Sequence, residues 1–198
     1  MSNNSTGPKK PIIVGLTGAS GIGYGVKLIE ALNKFHLPPY LILSPSAETV
    51  IKIETNYDIN VIKKLSKKVF TAENIAAEIA SGSYKVGGMV ICPCSMKTLA
   101  LIAQGIEMNL LVRSALCQLK EGRKVVLVPR ETPLALPSIE NMRTALLSGA
   151  VILPAMPGFY HNPKTIDDIE NFIVGKILDQ FDIENDLFSR WGNQLESD

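Results

Sequence analysis

Five apolar runs punctuate the chain. After most of them apolar residues recur at three- and four-residue spacing, so strand and helix patterns alternate from end to end. Ile12, Ile13, Val14, Gly15 and Leu16 make the first run, and beyond a glycine cluster Val26, Leu28, Ile29, Ala31 and Leu32 trace a helix face. Pro38 and Pro39 stop that helix, residues 40–43 read as a second strand, and Ser44 opens a helical stretch through Glu54. Residues 57–68 alternate lysine with apolar side chains and read as irregular or part-helical, while 73–80 reads as a short helix. Strands are predicted over 87–92, 124–129 and 150–153, and helices over 97–104, 109–120, 139–147 and 165–181. The last of these carries Asp167 and Asp168 in its first turn, where the helix dipole favours them.

Near-continuous apolar strands joined by helices imply a parallel sheet covered on both faces, because each right-handed crossover lays its helix over the sheet. The expected fold is therefore α/β, a Rossmann-like doubly wound parallel sheet sandwiched by helices in a single domain. Its length, 198 residues, suits one such unit. The expected division is a flexible N-terminal arm over 1–10, the α/β domain over 11–182, and a C-terminal tail over 183–198 that packs on a neighbouring subunit. In this class ligands sit beyond the carboxyl ends of the strands, so the residues that follow each strand matter most.

Composition narrows the function. Apolar residues make up 46% of the chain, and a formal charge of +1 gives no whole-surface attraction to nucleic acid or an anionic membrane. No window approaches the roughly 18 uninterrupted apolar residues of a membrane span. The N-terminus is polar, so a cytoplasmic protein is expected. Cys92, Cys94 and Cys117 form no CxxC pair, and His36 and His161 are the only histidines, so neither a disulfide framework nor a zinc or histidine-rich metal site is indicated.

Four constellations can carry chemistry. Thr17-Gly18-Ala19-Ser20-Gly21, with Gly23 and Gly25, presents backbone N–H groups and a hydroxyl to an anion at a helix start, or serves as a tight packing turn. Pro93 to Thr98 places Ser95 and Thr98 at another helix start, suited to a phosphate or a flavin edge; Cys94 beside them reads as a packing residue rather than a nucleophile. Arg113, Lys120, Arg123, Lys124 and Arg130 supply positive charge. Arg130 and Glu131 directly follow the most strand-like run, where they are either ligand contacts or a capping ion pair. Finally, residues 154–160 form a proline-stiffened loop ending in Phe159 and Tyr160, followed by His161, which is expected at the surface.

Together, VGLTGASGIGYG, the IETN stretch with Glu54, GMVICPCSMKTLA, NLLVRSALCQLKEGRKVVLVPRETPL, ENM, GAVILPAMPGFYHNP and KILDQF closely resemble the UbiX-type flavin prenyltransferases. The resemblance implies a cytoplasmic homododecamer that binds FMN and, without metal, transfers a dimethylallyl group from dimethylallyl monophosphate to N5 and C6 of the reduced flavin. The prenylated FMN would pass to a UbiD-type decarboxylase. The matching FMN positions are Gly18, Ala19, Ser20, Ser44, Ser95, Met96, Lys97, Thr98 and Arg130. Those matching the prenyl-phosphate site are Arg113, Lys120, Arg130, Glu131, Tyr160 and Lys176, with contributions across subunit interfaces. Ser20 and Glu54 match positions of proton transfer, and Glu131 and Tyr160 complete the implied catalytic set.

The chain departs from the family pattern at Lys176, where many relatives have arginine, at Leu116 in place of aspartate, and at Ser138 in place of histidine. Lysine keeps the charge but loses the planar fork. Two alternative functions are a cysteine-decarboxylating flavoprotein, for which neither histidine lies beside an early strand end, and a non-catalytic FMN carrier.

Overall fold

The computed structural model of the protein describes residues 10–192. Its six strands are β1 (Ile13–Leu16), β2 (Tyr40–Leu43), β3 (Lys68–Thr71), β4 (Met89–Cys94), β5 (Val125–Pro129) and β6 (Val151–Ile152). They form one parallel sheet in the order β3-β2-β1-β4-β5-β6. The helices are α1 (Ile22–Lys34), α2 (Pro45–Glu54), α3 (Ile59–Lys64), α4 (Met96–Ala103), α5 (Leu110–Lys120), α6 (Leu136–Leu147) and α7 (Ile166–Asp179).

The continuous apolar runs hide a period of two, because successive strand side chains enter opposite cores. Val14, Leu16, Leu41, Val90, Cys92, Val126 and Val128 point into one core, closed by α1 and α7 through Val26, Ile29, Ile173 and Ile177. Ile13, Ile42, Met89, Ile91, Val125 and Leu127 point into the other, closed by α4 and α5 through Leu99, Leu111 and Ala115. The doubly wound sandwich expected from the sequence is present.

Three local expectations change. Residues 57–68 hold α3, capped by Asp58, whose side chain accepts from the Asn60 N–H, and they run into β3, an edge strand pairing Val69 with Leu41. Over 73–80 only a single 3-10 turn forms, at Glu78–Ala80. The strand expected over 87–92 is β4, which extends beyond residue 92 to Cys94, with its pairing to β5 shifted between Ile91 and Cys94.

After α7 the chain folds back on that helix. Ile183 and Phe188 are buried in the first core, and Arg190 grips Asp179 with two hydrogen bonds of 2.7 Å. Residues 1–9 of the expected arm and 193–198 of the expected tail lie outside the described residues.

Candidate functional site

The β1–β4 ladder ends at the Gly15–Ile91 pair. From β1 the chain winds through α1 to β2 on one side, while β5 and β6 continue the sheet on the other. This reversal is where a doubly wound sheet opens a ligand crevice at its carboxyl edge, and most of the singled-out residues lie along it.

On the β1 side is the turn Gly18, Ala19, Ser20. A Cβ on Gly18 would stand 2.5 Å from the Ser46 Cβ, so this close approach requires glycine. Gly21, at φ +87°, starts α1 without a side-chain cap of its own. The cap comes from 33 residues away: the Glu54 carboxylate, at the end of α2, accepts hydrogen bonds from the Gly21 N–H at 2.8 Å and the Ile22 N–H at 3.3 Å. Partial burial pushes the Glu54 carboxyl up. Hydrogen bonds from the Ser20 side chain and the Gly21 and Ile22 N–H groups, with the charge of Arg130, outweigh it and hold the pKa below the usual value. Glu54 is thus an ionised acceptor at neutral pH. The Arg130 Nε donates to the Ser20 carbonyl at 3.1 Å, and Arg130 forms no ion pair at contact distance among the described residues. Ser20, Glu54 and Arg130 therefore meet at one point.

Gly23 and Gly25 serve another purpose. A Cβ on Gly25 would lie 2.1 Å from the Cys92 carbonyl oxygen, and one on Gly23 would lie 2.1 Å from Glu170 Oε1. These two let α1 pack against β4 and α7. The glycine cluster is divided at Gly21: beyond it the glycines are packing positions, and before it Gly18 admits Ser46.

On the β4 side Ser95 caps α4, its hydroxyl accepting from the Thr98 N–H at 3.3 Å and donating to the Thr98 hydroxyl at 3.1 Å. Met96 is half-buried, Lys97 exposed and Thr98 buried. Ser44 caps α2, its Oγ accepting from the Ala47 N–H at 3.1 Å, with the Ser46 hydroxyl 3.2 Å away. Cys92, Cys94 and Cys117 are free and buried, and burial pushes the Cys94 thiol up to about 12, which removes it as a nucleophile.

The remaining cations lie elsewhere in the chain. Arg113 binds both Glu107 oxygens, at 2.6 and 2.7 Å, and donates to the Ala80 carbonyl. Lys120 is exposed at the end of α5, just before the amino end of β5, whereas Arg130 follows its carboxyl end; five strand residues put about 16 Å between those ends. Lys176 lies in the last turn of α7, 3.6 Å from Asp179. Glu131 is exposed. Tyr160 stacks edge-on with Phe172, His161 and Trp191 at centroid distances of 5.3 to 5.8 Å. His161, expected at the surface, lies flat on Phe172, and both its ring nitrogens are buried without a partner.

Two residues of this edge were given no role of their own by sequence reasoning, though Thr17 opens the first glycine motif. Thr17 is 2% exposed, with its hydroxyl between the two sides of the crevice, and Ser46 sits against Gly18. A polar residue ending a buried strand was the available signal for Thr17. Among the described residues no three metal-ligating side chains cluster, and no helix is long and apolar enough to cross a membrane.

Comparison with known proteins agrees with this geometry. The Flavoprotein family model matches residues 1–178. The chain is 49% identical to the flavin prenyltransferase UbiX of Thauera aromatica over 184 residues, covering 92% of this chain and 95% of that one. It is 46% identical to that of Methanothermobacter thermautotrophicus, with 92% and 95% covered. A crystal structure of AnUbiX (PadA1) in complex with FMN and dimethylallyl pyrophosphate superposes with a TM-score of 0.91 at 40% identity, covering 94% of this chain and 99% of that one. A dodecameric FMN-dependent UbiX-like decarboxylase from Escherichia coli O157:H7 gives 0.90 at 42%, covering 92% and 100%. The cysteine decarboxylase TvaF, at 16% identity and a TM-score of 0.60, shares the fold alone.

Proposed function

We propose, from the premise that this chain belongs to the Flavoprotein family and within it to the UbiX-type flavin prenyltransferases, that Ser20, Glu54 and Arg130 form the centre of its reaction site. The enzyme transfers a dimethylallyl group to reduced FMN, and the prenylated flavin serves a UbiD-type decarboxylase. The donor is dimethylallyl monophosphate in this reading; the crystallised relative carries the same prenyl group on a pyrophosphate.

The crevice suits FMN. Gly18 seats the β1 turn directly against Ser46, α4 begins with N–H groups suited to an anion, and Arg130 has no contact ion pair to give up among the described residues. Gly18, Ala19, Ser20, Ser44, Ser95, Met96, Lys97, Thr98 and Arg130 would hold the flavin. When bound, reduced FMN supplies the electron-rich N5 and C6 that accept the prenyl carbon. The chain's side chains do the rest. Arg130 neutralises charge growing on the departing phosphate oxygen, worth roughly 2–4 kcal/mol for one well-placed donor. Ionised Glu54, hydrogen-bonded to Ser20, would take up the proton that C6 loses when the second bond closes, while the double bond of the prenyl group gains a proton in the same closure, so the step consumes and releases no net proton.

Arg113, Lys120, Glu131, Tyr160 and Lys176 are assigned to the phosphate side. Lys120 and Arg130 stand at opposite edges of one chain's sheet, so the complete site requires more than one copy, in a homododecamer like that of the Escherichia coli relative. The domain expected over 11–182 takes in the fold-back as far as Arg190, because Ile183 and Phe188 are buried in its own core, which leaves Trp191, 77% exposed, available to a neighbour. A cytoplasmic location belongs to the same proposal, supported by three unpaired thiols.

The observation that carries the assignment is the ionised Glu54 and the free charge of Arg130 converging on Ser20 at the crevice. Incubation of the purified protein with reduced FMN and dimethylallyl monophosphate is expected to yield flavin heavier by one prenyl unit. Recovery of FMN of unchanged mass overturns the function.

A further inference from the structure

The two sides of the crevice are not joined by backbone pairing. The β1–β4 ladder stops at Gly15–Ile91, and β4 shifts its register toward β5 before Cys94. Across the gap that opens, the Thr17 hydroxyl donates to the Pro93 carbonyl at 2.7 Å and accepts from the Ser95 N–H at 2.9 Å. One hydroxyl offers one donor and two acceptor sites, and here donor and acceptor are both engaged with the two residues that flank Cys94. Thr17 is 2% exposed and directly precedes Gly18; Ser95 is the cap of α4. A single buried side chain thus sets the distance and register between the Gly18–Ser20 turn and the start of α4.

We propose that Thr17 is a positioning residue for flavin binding: its hydroxyl takes the place of the missing ladder bonds and holds the two flavin-binding segments at the spacing the ligand needs. The proposal rests on the reading that both segments hold FMN. Thr17 itself touches no reacting atom. Without the hydroxyl the buried Pro93 carbonyl and the half-buried Ser95 N–H both lose this partner, and the segments shift to reach water or other partners. The α1 cap by Glu54 and the α4 cap by Ser95 stay intact, so the loss falls on the relation between the segments.

The test compares wild type, Thr17→Val, which keeps the shape without the hydroxyl, and Thr17→Ser, which keeps the hydroxyl without the methyl. FMN affinity is read by flavin fluorescence quenching, and the visible circular dichroism of the protein saturated with FMN is recorded below each variant's unfolding midpoint. Expected are a loss of affinity of about tenfold or more with altered flavin dichroism in Thr17→Val, and near wild-type values for both in Thr17→Ser. Wild-type affinity in folded Thr17→Val overturns the proposal. So does a Thr17→Ser protein that binds FMN as poorly as Thr17→Val, or as poorly as the proposal requires of Thr17→Val if that variant fails to fold. Failure of wild type to bind FMN overturns instead the flavin reading on which the proposal stands.

Discussion

Glu54 caps α1 through Gly21 and Ile22, and the base role proposed for it beside Ser20 would use the same carboxylate. A base whose pKa lies below the ordinary 4.5 stays ionised throughout the neutral range. Prenylation by wild type should therefore show no loss attributable to Glu54 between about pH 5 and pH 8. Glu54→Gln should lower the turnover number by about a hundredfold or more across that range without creating a new limb in the profile. A pH–rate profile of both proteins checks this, and wild-type turnover in Glu54→Gln would leave the carboxylate as a cap only. The sequence placed Glu54 in the proton-transfer set by resemblance. Its capping role was illegible, because a cap supplied from 33 residues away leaves no local signature. Arg130 was legible from position alone, following a buried strand at the ligand edge.

At the scale of elements, local rules held in the central strands and the capped helices and failed at the edge strand and between β3 and β4. The central strands and the capped helices α2, α4, α5 and α7 lie within a few residues of their expected bounds, and α7 carries the full reciprocal capping box of Thr165 and Asp168. Edge strand β3 buries only Phe70, too little for a period of two to emerge among its lysine and threonine neighbours. The expected helix over 73–80 yields to consecutive turns, such as those closed by Asn74 N–H to Thr71 and Ala77 N–H to Asn74. Gly25 makes the α1–β4 packing testable. Gly25→Ala sets a Cβ against backbone rather than a yielding side chain, and should destabilise by roughly 1–3 kcal/mol or more, read as a lowered midpoint in denaturant. The fold-back after α7 supplies a second test. Partial burial raises the pKa of Asp179, but its hydrogen bonds to Arg190 dominate and hold it below the ordinary 3.8. The stabilisation is therefore present above that value and lost as pH falls through the lower folded value. Acid titration should release the segment only below about pH 4. Trp191, the single tryptophan, reports the event by fluorescence as its contact with Tyr160 is lost; release near neutral pH would contradict the clasp.

For the whole molecule, the alternation of strands and helices made the sandwich legible and the ordered motifs made the family legible. The distribution of the cationic residues was not, because spacing along one chain says nothing of which copies meet. Among the described residues Arg113, Lys120 and Lys176 make no hydrogen bond with Arg130, and two of them are engaged by Glu107 and Asp179. Lys120→Ala and Arg130→Ala should each be nearly inactive alone. When co-assembled from mixed unfolded chains, some sites receive both intact residues, and activity should recover to a fraction of wild type; no recovery would place both residues in one subunit's site.

The span of strand β5 between Lys120 and Arg130 therefore reaches into the rate law. If each centre borrows a cation from the next copy, specific activity falls on dilution as the shell comes apart. A subunit that has lost Lys120 alone silences a neighbour that carries no lesion of its own yet keeps its own centre, so at equal dosage such an allele would depress output by half, and only an allele that has lost both residues would depress it further.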